Sequence, residues 1–113
     1  MASKEYAGFS KLGDLALERF ALDGTEQVYP PNDTAAGHTG EAQVFPSPMN
    51  QVLIRAETAE VKVRLESGSA HYFPISPASA DGLPMENLGG RRIYLTGTNG
   101  DYAYIWMHAG KLL

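Results

Sequence analysis

Residues that could bind a metal or carry out catalysis are few and scattered along this chain. The three histidines are His38, His71 and His108, and no two of them are close in sequence. A zinc site needs His, Cys, Asp or Glu at short characteristic spacings, and the chain contains no cysteine. His71 and His108 could approach each other only on paired strands. The sequence therefore predicts no metal and no cofactor, and histidines that are solvated or hydrogen-bonded.

Motifs for nucleophilic and phosphate chemistry are present only as fragments. The nearest match to Gly-x-Ser-x-Gly, at residues 8–12, ends in leucine instead of glycine. Gly110 and Lys111 are followed by leucine, where a phosphate-binding loop needs Ser or Thr. Glu57 and Glu60 flank a turn, and nothing in the sequence sets two carboxylates across a cleft, as a glycosidase requires. The sequence thus predicts a protein that is not an enzyme.

Composition narrows the classes of partner. The 113 residues fit one domain, and the net charge of −4 comes without a long run of either sign. A nucleic-acid surface needs a basic face that neutralises phosphates, and the only adjacent basic pair is Arg91-Arg92. No segment approaches the roughly 18–20 consecutive apolar residues of a membrane span. We therefore expect neither nucleic acid nor a membrane as a partner.

Short strand patterns dominate the second half of the chain. Between residues 60 and 66, Val61, Val63 and Leu65 alternate with polar residues, which is typical of a half-buried antiparallel strand. A strand over residues 70–73 is expected to end at Pro74, because proline is excluded from the middle of a hydrogen-bonded ladder. The number and spacing of such patterns predict an all-β fold, a small antiparallel β-sandwich or barrel. The other predicted strands cover residues 17–22, 27–29, 51–57, 85–88, 92–96 and 102–108.

Two dipeptides carry the signal of a tight hairpin turn. Asp23-Gly24 lies between the predicted strands 17–22 and 27–29, and Asn99-Gly100 lies between 92–96 and 102–108. Such pairs tolerate the positive φ that a two-residue hairpin needs. The two strands on either side of each turn are therefore predicted to pair with each other.

Three segments are too irregular to be strands. Residues 1–16 are predicted to form an extended N-terminal arm, followed by a single domain over residues 17–113. Within that domain, residues 30–50 carry four prolines and form a long loop, interrupted only by the apolar pair Val44-Phe45. This loop is either a surface or disordered segment, or it orders on a neighbouring subunit, and the sequence leaves both open. Residues 75–83 are predicted to form a second long loop.

The last predicted strand has an aromatic face. Tyr102, Tyr104 and Trp106 alternate along it, with smaller apolar residues between them. Three interpretations remain open. The aromatic face is part of the core or covers it, it is a subunit interface, where Tyr and Trp are enriched, or it is a platform for sugar stacking assisted by Asn99 and Asp101.

One pattern runs through most of the second half of the chain. It consists of the segment VLIRAETAEVKVRL at 52–65, the loop SPASADGLP at 76–84, a strand at 93–95 and the closing aromatic strand. Together these resemble small structural proteins of tailed bacteriophage virions, in which a Pro-small-small-x-Gly-apolar-Pro loop separates a similar strand–hairpin–strand from a final hairpin. The resemblance covers roughly residues 50–108 and, more loosely, 17–29. It brings no functional residues with it.

The resemblance implies a virion component, best matched by a decoration or cement protein that binds and stabilises the phage head shell. Its partners would be the major capsid protein or other virion subunits. It would be a homotrimer or lattice-assembled, made in the host cytoplasm and located on the capsid surface. The expected contacts come from the arm, from the loops at 30–50 and 75–84, and from the adjacent arginines. These residues are Tyr6, Phe9, Leu12, Val44, Phe45, Arg91 and Arg92.

Two other classes of protein fit the same strand pattern. One is a tail, neck or fibre component of the same kind of virion, which the pattern does not separate from a head protein. The other is a carbohydrate-binding β-sandwich module, for which Trp106 would supply the stacking surface.

Overall fold

The computed structural model describes residues 4–5, 15–32, 42–45, 47, 49–79 and 81–109. All regular structure within these residues is β-strand. The strands are, in chain order, β1 (Lys4–Glu5), β2 (Leu15–Ala21), β3 (Gln27–Tyr29), β4 (Gln43–Val44), β5 (Met49–Ala56), β6 (Val61–Arg64), β7 (Phe73–Ile75), β8 (Leu83–Met85), β9 (Ile93–Thr96) and β10 (Tyr102–Ala109).

Most of these strands belong to two antiparallel sheets. In the described residues, the first sheet has the order β2-β10-β5-β8 and the second has the order β3-β9-β6-β7. The strands β1 and β4 form a short parallel pair. The inner faces of the two sheets share one buried apolar cluster, so the predicted all-β antiparallel sandwich is confirmed.

The core lies between the sheets and takes every second residue of their strands. In β6, Val61 and Val63 are buried while the residues between them are half-buried, as the alternation predicts. Two of the largest fully buried side chains, Tyr29 and Phe45, have ring centroids 5.7 Å apart. The first sheet contributes Val52, Ile54, Ala56, Ala103, Ile105 and Met107 to this core.

The tight turns connect the two sheets rather than neighbouring strands. The Asp23-Gly24 turn, with Gly24 at φ +86°, leads from β2 in the first sheet to β3 in the second. The Asn99-Gly100 turn, with Gly100 at φ +87°, leads from β9 in the second sheet to β10 in the first. The positive-φ glycines match the predicted turns, but the predicted pairing across each turn is wrong. β2 pairs with β10 and β3 with β9, because each strand buries its apolar side against the opposite sheet.

Asp101 links two of these connections. The residue is 8% exposed, and its Oδ2 accepts a 2.8 Å hydrogen bond from the Ala59 amide in the turn between β5 and β6. Its carbonyl accepts a 2.9 Å bond from the Leu22 amide after β2. Burial alone would raise the pKa of Asp101, but hydrogen bonds from the Tyr102 and Ala59 amides hold it below its ordinary value. A charged carboxylate is therefore part of the framework at this end of the sandwich.

Proline lies inside two of the strands. Pro74 is the middle residue of β7 and Pro84 the middle residue of β8, and both strands lie at the end of a described sheet. An edge strand has one side without a ladder, so it tolerates a residue that lacks an N–H. The predicted strands 70–73 and 85–88 are therefore wrong in position, and the observed strands are Phe73–Ile75 and Leu83–Met85.

The predicted long loop 30–50 contains regular structure and a core residue. β4 lies within it, and β5 begins at Met49. Phe45 is fully buried, and its amide donates a 3.0 Å hydrogen bond to the Arg91 carbonyl. Its carbonyl accepts a 2.8 Å bond from the Gly90 amide. Part of the predicted arm, in β1, pairs with β4 of the same chain, so these segments are attached to their own domain.

Gly82 shows why the SPASADGLP loop needs a glycine. Its φ is +67°, and a Cβ at this position would lie 2.5 Å from the Ile54 carbonyl oxygen and 2.7 Å from Arg55 Cγ. Residues with a side chain rarely adopt this φ, and the backbone of β5 leaves no room for one. Glycine therefore lets the loop lie directly against β5, which places β8 at the edge of the first sheet.

Candidate protein-binding surface

Four apolar side chains form one row across the outer face of the first sheet. The strand register places Trp106 of β10 between Leu17 of β2 and Leu53 of β5, and Leu53 opposite Pro84 of β8. Leu17 is 50% exposed and Trp106 is 43% exposed. We call these four residues the apolar row. It crosses the full width of the sheet.

The alternation of β10 explains why the tryptophan faces outward. Ala103, Ile105 and Met107 fill the core, so the residues between them point to the opposite side of the sheet. Tyr102 and Tyr104 are half-buried on that side. The interpretation of this aromatic face as core is therefore wrong for Trp106. A cover over the outside of the sheet, an interface or a stacking platform remains.

A charged pair borders the aromatic face. Arg19 donates two hydrogen bonds to the Glu57 carboxylate, from Nε at 2.9 Å and from Nη2 at 2.8 Å. Its guanidinium carbon lies 3.6 Å from the centroid of the Tyr102 ring. The bonds from Arg19 hold the pKa of Glu57 below its usual range, and those to Glu57 raise the pKa of Arg19. Both groups stay charged and fixed beside the aromatic rings.

The polar residues proposed to assist sugar stacking do not border Trp106. Asp101 precedes it by five positions along an extended strand, which is a separation of about 17 Å. The Asp101 carboxylate is buried and bonded to the Ala59 amide. Asn99 lies still further away, in the turn before β10. The residues directly opposite Trp106 on both neighbouring strands are leucines, and the polar residues Arg55 and Gln51 lie one pair further along this face in each direction. An apolar centre with polar flanks suits a protein surface better than a sugar ring.

The residues predicted to contact a neighbour fall into three groups. Val44, Arg91 and Arg92 line one cleft of about 320 Å³, because the backbone of Phe45 is bonded to residues 90 and 91. The Phe45 ring itself is in the core and is not presented at the surface. Arg92 Nη2 donates to Asn32 Oδ1, while the buried Arg92 Nε has no hydrogen-bond partner in the described part of the chain. Tyr6, Phe9 and Leu12 lie outside the described residues.

A second apolar groove adjoins this cleft. It has a volume of about 380 Å³ and lies beside the edge strands β7 and β8. Leu65 and Phe73, 51% and 48% exposed, contribute to its wall, and Leu65 also lines the cleft at Arg91. The sequence pattern places Leu65 with Val61 and Val63 on the buried face, which is wrong because β6 ends at Arg64.

The two histidines in the described part of the chain, His71 and His108, are not brought together, and His38 lies outside that part. His71 lines a depression with Tyr72 and Phe73 near β7, whereas His108 lies in β10 of the other sheet, opposite Gln51 of β5. Among the described residues there is no group of three or more His, Cys, Asp or Glu side chains that could hold a metal ion. The same residues contain no helix long and apolar enough to cross a bilayer.

Comparison with known proteins gives no match. No protein family, no curated protein and no solved structure matches this chain. The resemblance to phage structural proteins stays an expectation from the pattern of strands and turns.

Proposed function

We propose that this chain is a non-enzymatic structural subunit that binds other protein subunits through the outer face of its first sheet. In its specific form, it is a decoration or cement protein on the head shell of a tailed bacteriophage. The apolar row carries this proposal, because it exposes a tryptophan and a leucine side by side on an extended sheet surface. Tryptophan and tyrosine are the residues that most often dominate the energy of a protein interface.

The composition of the face supports binding to protein. Apolar side chains that are exposed singly are normal, whereas a contiguous apolar patch with a polar border marks an interaction surface. Here Leu17, Trp106 and Leu53 are adjacent, and the ion pair of Arg19 with Glu57 lies on the border. An apolar centre with a charged rim is the usual anatomy of a protein interface.

The shape of the face fits a shell better than a small ligand. A small-molecule site encloses most of its ligand, whereas an outer sheet face offers a wide area without enclosure. On a shell, one copy contacts several subunits, so individually weak contacts combine into firm attachment. Because such a protein binds the assembled shell and not its separated subunits, its occupancy stabilises the shell by mass action.

Sedimentation with purified virion parts tests the proposal. Head shells and tails of the encoding phage are mixed separately with the purified chain, and the bound fraction is measured over a range of concentrations. We expect the wild type to sediment with shells and not with tails. The Trp106→Ala variant should bind shells at least about 30-fold more weakly, which corresponds to about 2 kcal/mol for a central interface residue.

Tyr72→Ala is the matched control for this experiment. Tyr72 is 41% exposed, close to the 43% of Trp106, but it belongs to the side of the second sheet. The Tyr72→Ala variant should bind shells as tightly as the wild type does. Binding to tails alone would replace the head assignment by a tail, neck or fibre component. An equal loss in both variants, or no binding to either structure, would overturn the proposed function.

A further inference from the structure

The outer edges of the two sheets differ in length and composition. In the described residues, the edge strands β3, β7 and β8 are three residues long, and each contains a proline or is followed directly by one. β2 is seven residues long, contains no proline and, among the described strands, pairs with β10 alone. Short strands and prolines protect a sheet edge from pairing with another chain. Within the described sheets, β2 is the edge that lacks this protection.

The backbone hydrogen-bonding groups of β2 alternate in direction. The Leu22 amide donates to the Asp101 carbonyl, so even-numbered residues at this end point toward β10. The Glu57 amide donates to the Tyr102 carbonyl, so even-numbered residues of β10 point toward β5 and its odd-numbered residues toward β2. The register of β2 with β10 agrees with both directions, because it places odd-numbered residues of β10 opposite even-numbered residues of β2. The N–H and C=O groups directed at the open edge are those of Leu15, Leu17, Arg19 and Ala21.

We propose that β2 pairs in antiparallel fashion with β2 of a second copy of this chain, around a twofold axis at Leu17. Leu17 then forms a hydrogen-bonded pair with Leu17 of the second copy, and Leu15 pairs with Arg19 on both sides of the axis. Each such pair makes two N–H···O=C hydrogen bonds with groups that already point outward. The first sheet becomes a continuous sheet of two copies, in the order β8-β5-β10-β2-β2-β10-β5-β8.

Side-chain identity selects this register over the two that are centred further along β2. An axis at Glu18 would set two carboxylates opposite each other, and an axis at Arg19 would set two guanidinium groups opposite each other. The axis at Leu17 sets two half-exposed leucines side by side and places Glu18 opposite position 16. The apolar row of each copy ends at Leu17, so the two rows join into one across the whole assembly.

The charged residues of β2 are held away from the open edge. Arg19 is bonded to Glu57 and lies over Tyr102, so its guanidinium leans across its own sheet. Glu18 points to the inner face, where it accepts a 2.6 Å hydrogen bond from the Tyr29 hydroxyl. An inward charge on an edge strand usually discourages pairing. This carboxylate, however, already has a donor in its own chain, so pairing leaves it satisfied.

The inference concerns an edge rather than the face assigned to shell binding, and it does not depend on that assignment. A contact of β2 with itself uses the same surface on both copies and closes with two of them. It therefore predicts a twofold pair in place of the homotrimer that the resemblance implies. A twofold pair is compatible with assembly on a lattice.

The molar mass in solution, measured by light scattering, tests the pairing. The wild type is expected at twice the 12.2 kDa of one chain. Leu17→Lys should fall to the mass of one chain, because it places two ammonium groups at the axis. Leu65→Lys is the matched control, since Leu65 is 51% exposed against 50% for Leu17 and lies beyond the end of β6. It should keep the paired mass, and circular dichroism verifies that each variant is folded.

A single cysteine at the axis tests the register. The chain has no cysteine of its own, so Leu17→Cys and Leu65→Cys each carry one thiol. The Cα atoms of a hydrogen-bonded antiparallel pair lie about 5.5 Å apart, within the roughly 4.4–6.8 Å that a disulfide spans. Oxidation in air should link Leu17→Cys into a dimer and leave Leu65→Cys unlinked. A wild type that is a monomer or a trimer, an unchanged mass for Leu17→Lys, or equal linking of the two cysteine variants would overturn the inference.

Discussion

The outer faces of the two sheets follow the same alternation but use their side chains in opposite ways. On the second sheet, Arg64 donates a 2.7 Å hydrogen bond from Nε to the Ser69 carbonyl and a 3.1 Å bond from Nη1 to Thr96 Oγ1. The Arg64 guanidinium and the Lys62 ammonium lie 5.1 and 4.8 Å from the centroid of the Tyr72 ring. The polar groups of this face satisfy one another and contact its aromatic ring.

The first sheet leaves its outer face incomplete by comparison. Trp106 and Leu17 are about half exposed, and the Arg19–Glu57 pair lies beside the apolar row without covering it. The period of two along a strand decides which residues point outward, and it is the same in both sheets. Residue type then decides whether the polar groups of a face bond to one another or whether the face exposes apolar side chains that a partner could cover. This molecule has one face of each kind.

The largest difference in stability is expected between substitutions at two neighbouring residues of β10. Ile105→Ala should destabilise the fold by about 2–5 kcal/mol, because Ile105 is fully buried and its loss leaves a cavity. Trp106→Ala should cost about 1 kcal/mol, because its ring remains 43% exposed in the folded state. Urea unfolding of both variants measures the difference. Equal losses would mean that the outer face is packed like the core, and the contrast between the faces would fail.

A smaller loss of stability is expected from substitution of two loop glycines, one beside each sheet. Gly82→Ala should destabilise the fold by about 2–4 kcal/mol, since it combines an unfavourable φ with a contact against the β5 backbone. Gly68→Ala has a similar φ of +71° but open space around it, so it should cost about 1–2 kcal/mol. The difference between the two unfolding free energies isolates the contact of Gly82 with β5. If the two costs are the same, the loop before β8 does not lie against the first sheet.

The smallest difference in stability is expected between substitutions of two arginines, one on the outer face of each sheet. Arg64→Met should cost about 1 kcal/mol, because it removes donors from the Ser69 carbonyl and the Thr96 hydroxyl while keeping the aliphatic stem. Arg55→Met should change stability by less than about 0.5 kcal/mol. Arg55 is exposed on the first sheet, and no hydrogen bond or ion pair of it is found among the described residues. Thermal unfolding of the two variants side by side measures the difference in stability. A larger loss for Arg55→Met would mean that the outer face of the first sheet, and not that of the second, is the one whose polar groups satisfy one another.

Features that depend on a few neighbouring residues could be predicted from the sequence. The alternation of Val61 and Val63 identifies β6, because a half-buried strand needs nothing more than that pattern. The last strand is found for the same reason, almost to its ends. Gly24 and Gly100 adopt the positive φ that Asx-Gly turns favour. Each of these properties is local.

Features that depend on distant partners could not be predicted. The same Asx-Gly turn serves a hairpin and a connection between sheets, so turn chemistry does not reveal that β2 pairs with β10. A proline has to end a strand only when that strand is central in its sheet, and Pro74 and Pro84 lie in edge strands. Whether a strand is at the edge depends on the whole sheet, so the local sequence does not show it. Val44-Phe45 is an isolated apolar pair in a polar segment, which fits a surface contact as well as the core position that Phe45 occupies.

The candidate surface shows the same division. The alternation of β10 identifies Trp106 as part of an aromatic face, although it does not say whether that face is buried. Leu17, Leu53 and Pro84 come from three further strands, and they join Trp106 only through the cross-strand register. No sequence spacing connects them. A surface assembled by register therefore becomes visible only in the folded molecule.

The position of β10 between β2 and β5 has a consequence for the order of events during synthesis. A ribosome makes both of those strands long before it makes the strand that joins them, and most neighbouring strands of this fold are far apart in sequence. An unfinished chain thus holds two long strands, with no central partner, that are open to other chains. Completion of the last strand closes the first sheet in one step and leaves β2 with a single open side. Emergence of β10 from the ribosome, rather than of the strands before it, therefore sets the moment at which the first sheet can close.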